Sequence, residues 1–204
     1  SFIVNVLNYL FNFFAARELG PSGYGELIAF YSYIALLSVP MVVCSHIIIQ
    51  RISSHTTNPY VYAKSFLIQF RQIMRYLFPF FVLCLLVIPF ISRITNLSPV
   101  VSYLLIPTIL LGLVASFYSS LFQGLKLFFL FSLLSVASVV LRLASVFIPV
   151  FKYGALNEVL IFQFIAGIFI LWLSFTILSH FLHSHKTKQS MQVFAKLQRL
   201  VVGR

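Results

Sequence analysis

The sequence predicts an all-α polytopic membrane protein, built as a bundle of six transmembrane helices. Of its 204 residues, 61% are hydrophobic and only 8% are charged, whereas about 25% of the residues in a soluble domain are charged. The apolar residues form runs of about 20, the length of a membrane-spanning helix and too long for the strands of a membrane barrel. This composition excludes soluble enzymes, DNA-binding domains and disulfide-stapled secreted folds.

Six apolar segments are predicted as transmembrane helices, over residues 2–16, 27–49, 76–94, 100–122, 127–151 and 155–178. The first is shorter than the roughly 20 residues that a spanning helix needs, and the chain begins with Ser1, so we expect a fragment of a longer protein. The connections are a turn-rich stretch at 17–25, a polar loop at 50–72 and short links at 95–99, 123–126 and 152–154. Residues 1–180 are therefore expected to form one bundle.

The basic residues divide unequally between the two sides of the predicted bundle. One side carries ten Lys and Arg, the other carries three together with all three Glu, and Arg142 lies within the fifth segment. Because cytoplasmic loops are rich in Lys and Arg, both chain ends are predicted to be cytoplasmic. Topology therefore explains the formal charge of +11, and no nucleic-acid partner is expected. The basic tail at 181–204 is predicted to be an amphipathic linker or in-plane helix, or alternatively a simple juxtamembrane anchor.

A polar stripe marks the first segment. Asn5, Asn8 and Asn12 are three and four residues apart, so they share one helical face. Asparagines in hydrocarbon are unfavourable unless paired, so this face must meet protein or water. The stripe is predicted either to contact a polar cargo or to form interhelical hydrogen bonds.

A second polar face lies on the fifth segment, where Ser132, Ser135, Ser138, Arg142 and Ser145 follow each other at helical spacing. An arginine at the centre of a transmembrane helix costs at least about 2.5–3.5 kcal/mol and normally faces an internal cavity. A guanidinium flanked by hydroxyls suits a phosphate or a diphosphate. The alternative is a structural arginine bound to backbone carbonyls or lipid headgroups.

Other chemistries lack the residues that they need. The chain contains no aspartate, and no phosphate-binding Walker loop is present. Of its three Glu, two lie between predicted spans and Glu158 lies in the first turn of the sixth, so no acid is at the centre of a span. His180, His183 and His185 begin the basic tail with no acidic residue or cysteine nearby, and Cys44 and Cys84 lie within apolar runs. The sequence therefore predicts a non-enzymatic protein with no metal site, disulfide or cofactor.

Two motifs carry a family resemblance. Residues 8–27 read NYLFNFFAARELGPSGYGEL, followed by LLSVP at 36–40, and a second match comprises FQGLK at 122–126 and LRL at 141–143. These motifs resemble the polysaccharide flippases, the Wzx-type family of the multidrug/oligosaccharidyl-lipid/polysaccharide exporter superfamily. In the first motif, Gly20 and Pro21 suit a tight turn between neighbouring helices.

The resemblance implies the N-terminal half of a two-lobe transporter in the bacterial inner membrane. Its cargo would be an undecaprenyl diphosphate-linked oligosaccharide for lipopolysaccharide O-antigen or capsule, and its partners would be membrane lipids and a C-terminal lobe. In that setting Arg142 would attract the diphosphate, while the asparagine stripe would face sugar hydroxyls.

Three alternatives remain open. A multidrug or peptidoglycan-precursor exporter would share the fold. A membrane enzyme of polysaccharide assembly would need paired acids in large external loops. A non-transporting scaffold would tolerate alanine at Arg142 and at the three asparagines.

Overall fold

The structure, a computed structural model, describes residues 2–54, 59–95, 97–147 and 156–202, without the side chains at 61, 78, 80, 81, 84–95 and 183–202. Over these residues the chain is all-α, and no strand is present. The helices are α1 (Phe2–Ser54), α2 (Pro59–Thr95), α3 (Pro99–Gly124), α4 (Phe128–Phe147) and α5 (Leu156–Val202). Four of them contain a stretch long and apolar enough to cross a membrane: α1, α3, α4 and residues 156–182 of α5. The predicted membrane-protein class thus agrees with the structure.

The predicted count of six helices is not confirmed, because the first two predicted segments belong to the single helix α1. This helix departs from helical geometry at Gly20, where φ is 68° and ψ is 178°. Beyond that point the chain folds back, since the rings of Phe11 and Tyr31 are only 6.5 Å apart although 20 residues separate them in sequence. Two arms, 2–19 and 21–54, therefore lie side by side as a helical hairpin.

Other boundaries also differ from those predicted. Most of the expected polar loop at 50–72 is helical, because α1 continues to Ser54 and α2 begins at Pro59. Similarly, α5 continues without a break from the predicted sixth segment into the tail as far as Val202. In both places the helix extends past the apolar run into polar sequence, where hydropathy alone places a loop. The side chains of His183 and His185, and the tail's proposed amphipathic face, lie outside the described residues.

The hairpin and the other helices pack alongside each other around two apolar cores. At the Gly20 end of the bundle, Phe11, Leu27 and Phe30 of α1 pack against the beginnings of α3 and α5. At the opposite end, named here the Ser54 end, Ile52 and Ala63 pack against the end of α3 and against Leu178 of α5. Along α3 the first core ends at Ile106 and the second begins at Phe117. The middle of the bundle lies between them.

Close helix contacts hold this arrangement together. Gly124 of α3 lies so near α1 that an added Cβ would be 2.9 Å from the Cβ of Ile52. One hydrogen bond joins the hydroxyls of Ser45 and Ser116, 2.8 Å apart. At the Gly20 end, the carboxylate of Glu26 accepts a hydrogen bond from the backbone N–H of Ser98, the residue that precedes α3. A carboxylate at a helix N-terminus satisfies a free N–H and complements the helix dipole.

Candidate functional site

Arg142 lies in the middle of the bundle, where α4 faces the α1 hairpin. Its Cζ is 4.3 Å from the ring centroid of Phe11 and 4.2 Å from that of Tyr31. One guanidinium nitrogen, Nη1, donates a long hydrogen bond of 3.4 Å to Oδ1 of Asn8. Both arms of the hairpin therefore contact the arginine, which links the polar face of the first predicted segment to that of the fifth.

Within the part of the chain that the structure describes, the contacts of the guanidinium are with neutral groups. A cation over an aromatic ring gains about 0.5–1 kcal/mol when exposed and about 2 kcal/mol when desolvated. The stabilisation from two such contacts together is of the same size as the cost of about 2.5–3.5 kcal/mol for an arginine at a helix centre. The bundle can therefore hold Arg142 in its charged form without a carboxylate beside it, which leaves the positive charge available to an anion.

A chain of hydrogen bonds runs beside the arginine and connects three helices. Tyr31 of α1 donates its hydroxyl to Oε1 of Gln163 on α5. Nε2 of Gln163 donates to the hydroxyl of Ser145, at 3.1 Å, and that hydroxyl donates to the backbone carbonyl of Arg142, at 2.6 Å. Ser145 is fully buried. A satisfied network of this kind fixes side-chain positions, so Tyr31 is held by its hydroxyl while its ring contacts the guanidinium.

A partly open cavity of about 250 Å³ lies next to these groups, lined by α1, α3, α4 and α5. Its polar lining comes from Arg142, Ser138, Thr108, Gln163 and Tyr31, and the rest is apolar. Nε of Arg142 is buried and has no hydrogen-bond partner among the described residues. A buried N–H without an acceptor is unfavourable, so a side-chain shift that turned Nε toward the cavity would let a ligand supply the acceptor.

The cavity lies near the middle of the membrane-spanning part. Thr108 and Leu111 line it from α3, at about 14 Å and 18 Å along a helix that is about 39 Å long. Leu111 also approaches α5, because an added Cβ at Gly167 would lie 2.7 Å from its Cδ2. The glycine therefore allows α3 and α5 to approach each other closely beside the cavity.

The structure brings together some of the sequence-predicted site residues and not others. Arg142, Ser138 and Asn8 are near one another, and the first two line the cavity. Asn12 instead donates its amide to the backbone carbonyl of Asn8, at 3.0 Å. Ser135 donates to the carbonyl of Phe131, and Ser138 donates to that of Ser135, each at 2.8 Å. The hydroxyl protons of these two serines are thus directed at their own helix, a common arrangement for serines inside helices.

Asn5, the remaining predicted residue, is exposed. It lies one turn before Asn8 and shares its helical face, but the hydrogen bond to Arg142 comes from Asn8. The three asparagines therefore have three different environments, and only Asn8 contacts the guanidinium.

Sequence reasoning missed two residues of the site, Phe11 and Tyr31, and it favoured a packing role for Gln163 over a place in a polar path. Phe11 and Tyr31 provide the rings around the guanidinium, yet each lies in an apolar run without a distinguishing pattern. Gln163 is a more visible signal, since it is an amide within an otherwise apolar segment and such groups are expected to find partners. Its partner Tyr31 is 132 residues away in sequence, and only the fold shows that pairing.

Comparisons with known proteins do not identify a family. No protein-family model, no curated protein and no solved structure gives a significant match to this chain. The motif at 8–27 therefore remains a resemblance, and the function has to be argued from the chemistry of Arg142 and its cavity.

Proposed function

We propose that the chain forms one lobe of a transporter that moves lipid-linked oligosaccharides across a bacterial inner membrane, with Arg142 binding the diphosphate of the cargo. The observation that carries this proposal is the guanidinium of Arg142 at the cavity, whose contacts among the described residues are with neutral groups. Diphosphate oxygens are strong acceptors for such a donor, and a charge-assisted hydrogen bond in a low-dielectric site is roughly twice as strong as a neutral one. Ser138 and Thr108 add hydroxyls to the same cavity.

The hairpin geometry supports a lobe with six membrane crossings. Its arms, 2–19 and 21–54, pack side by side and would each cross once, and α3, α4 and α5 would add three crossings. The apolar segment predicted at 76–94, within α2, would be the sixth. The ten basic residues on one side against three on the other favour a cytoplasmic Ser54 end, with both chain ends on that side. A flippase of the Wzx type would need a second lobe to complete its pathway.

The charge of the site favours an anionic cargo over the cationic compounds that many multidrug exporters carry. A desolvated cation repels Arg142, and none of the contacts of the guanidinium is a carboxylate that would offset this repulsion. A peptidoglycan precursor carries the same diphosphate as a polysaccharide precursor, so it remains the second candidate. The two candidate cargoes are distinguished by which polymer is lost when the protein is inactivated, surface polysaccharide or peptidoglycan.

The test is export in cells that depend on the full protein. Arg142→Ala is expected to abolish surface polysaccharide, with undecaprenyl-linked units accumulating inside, while Arg142→Lys retains part of the export because the charge remains. Ser132→Ala is the matched control, since Ser132 is an exposed serine on the same helix that does not line the cavity. Normal export by Arg142→Ala at wild-type abundance would contradict the proposal. Loss of cell-wall synthesis with intact surface polysaccharide would assign the cargo to peptidoglycan.

A further inference from the structure

The hydroxyl of Tyr31 lies close to both the guanidinium of Arg142 and the cavity. The ring centroid of Tyr31 is 4.2 Å from Cζ of Arg142, and the charge of that arginine acts on the hydroxyl. Tyr31 also lines the cavity, together with Arg142 and Gln163. An anion that approaches the guanidinium from the cavity would therefore come within reach of a second polar group.

The hydrogen-bond network determines which group donates at this hydroxyl. Ser145 gives its single hydroxyl proton to the backbone carbonyl of Arg142, so it can only accept from Gln163. The amide of Gln163 must then point its Nε2 at Ser145 and its Oε1 at Tyr31. Since Oε1 is an acceptor, Tyr31 is the donor in this bond. The hydroxyl proton of Tyr31 is thus bound to a neutral amide oxygen.

A phosphate oxygen can compete with that amide oxygen. Hydrogen bonds to a charged acceptor are roughly twice as strong as those between neutral groups. The proton of a phenol reorients by rotation about the C–O bond, so Tyr31 can change its acceptor while its ring stays on the guanidinium. Gln163 lines the partly open cavity, where water can satisfy its released carbonyl oxygen. Transfer of the hydrogen bond therefore needs no rearrangement of the helices.

We infer that the hydroxyl of Tyr31 is a second hydrogen-bond donor for the anion at Arg142, and that Gln163 competes with the anion for this donor. The competition favours anions, because a neutral ligand offers an acceptor no stronger than the amide that it must displace. The ligand class is a phosphate or diphosphate, whether on a lipid headgroup or free in solution. That the natural ligand is a polyprenyl diphosphate rests on the proposed function.

Two single substitutions should change binding in opposite directions. Tyr31→Phe keeps the ring and removes the donor, so the full protein in nanodiscs should bind a short-chain polyprenyl diphosphate about tenfold more weakly. Gln163→Leu removes the competing acceptor, so binding should become about threefold to tenfold tighter. A purely structural network predicts weaker binding for both variants, because both break the same hydrogen bond. Gln163→Met, which keeps the side-chain length and also lacks the amide oxygen, should repeat the gain.

Combined and control variants sharpen this test. Tyr31→Phe together with Gln163→Leu should bind like Tyr31→Phe alone, since no donor remains for which Gln163 could compete. Tyr33→Phe should leave binding unchanged, because Tyr33 is on the same arm, packs against the first core and does not line the cavity. Weaker or unchanged binding per folded molecule for both Gln163→Leu and Gln163→Met would overturn the inference, as would Tyr31→Phe with wild-type affinity.

Inorganic diphosphate, as a second probe, distinguishes a free anion from a lipid headgroup. Tyr31→Phe and Gln163→Leu should shift its affinity in the same two directions, because the hydroxyl binds phosphate oxygens, and shifts for the lipid alone would contradict the inference.

The outcomes separate this inference from the proposed function. If Arg142→Ala loses binding of the lipid while the substitutions at Tyr31 and Gln163 leave it unchanged, the inference is wrong and the proposed function stands. If the wild-type protein binds inorganic diphosphate but no polyprenyl diphosphate, the proposed function fails, and the same variants decide the inference with the inorganic probe. A wild-type protein that binds neither probe contradicts both.

Discussion

Gly20 allows the sharpest quantitative prediction, because its backbone geometry makes the α1 hairpin. A φ of 68° with a ψ of 178° lies in a region that is almost restricted to glycine, and a residue with a Cβ held there costs about 1–3 kcal/mol. An added Cβ would meet no atom within 4 Å, so no steric clash with a neighbour contributes. Gly20→Ala should therefore lower the free energy of unfolding by about 1–3 kcal/mol through backbone strain alone. Denaturation by SDS in mixed micelles would measure this loss.

A glycine five residues further along provides the control. Gly25 also has no atom within 4 Å of an added Cβ, but its backbone is helical. Gly25→Ala should leave stability unchanged or raise it by about 0.4–1 kcal/mol, since alanine restricts the unfolded chain. Equal effects of the two substitutions would refute the assignment of the reversal to the backbone angles of Gly20.

Two further predictions concern helix packing. Gly124→Ala should destabilise the bundle by about 1–3 kcal/mol in SDS denaturation, because its methyl group would lie 2.9 Å from the Cβ of Ile52, an atom that cannot move without the backbone. Gly167→Ala should cost less than Gly124→Ala, because the Cδ2 of Leu111 that it approaches is the end of a flexible side chain beside the cavity, and equal losses would contradict this reasoning. An alanine double-mutant cycle should measure a coupling energy of about 0.6 kcal/mol, and no more than about 1.7 kcal/mol, for the hydrogen bond between Ser45 and Ser116. A coupling energy near zero would show that these two serines do not interact in the membrane.

The sequence reveals those parts of the fold that are determined by local chemistry. Long apolar runs identify the membrane class, and the Gly20–Pro21 pair marks the turn that the structure places at Gly20. Helix ends are harder to predict from the sequence, because a helix can continue through polar residues wherever one of its faces meets water. The region before Arg75 shows this, since α2 begins at Pro59 and buries Ala63 while its other face stays exposed.

For the site, helical periodicity indicates which face of its helix a residue occupies, but it does not identify the residues that this face contacts. It places Arg142 and Asn8 on the polar faces of their helices, and the structure shows that these faces meet. Periodicity does not distinguish Asn8 from Asn12, whose amide is satisfied by its own helix. The pairing of Tyr31 with Gln163 depends on how α1 and α5 pack, which no local pattern encodes.

Photocross-linking tests the central claim, that an anionic lipid headgroup occupies the cavity beside Arg142. A photoreactive side chain would replace Ser138, which lines the cavity, or Ser132, which is exposed elsewhere on α4. We expect radiolabelled lipid-linked oligosaccharide to cross-link at 138 and not at 132, and the product at 138 to disappear when Arg142→Ala is added. Cross-linking at 138 that persists without the guanidinium, or equal labelling at both positions, would contradict the claim.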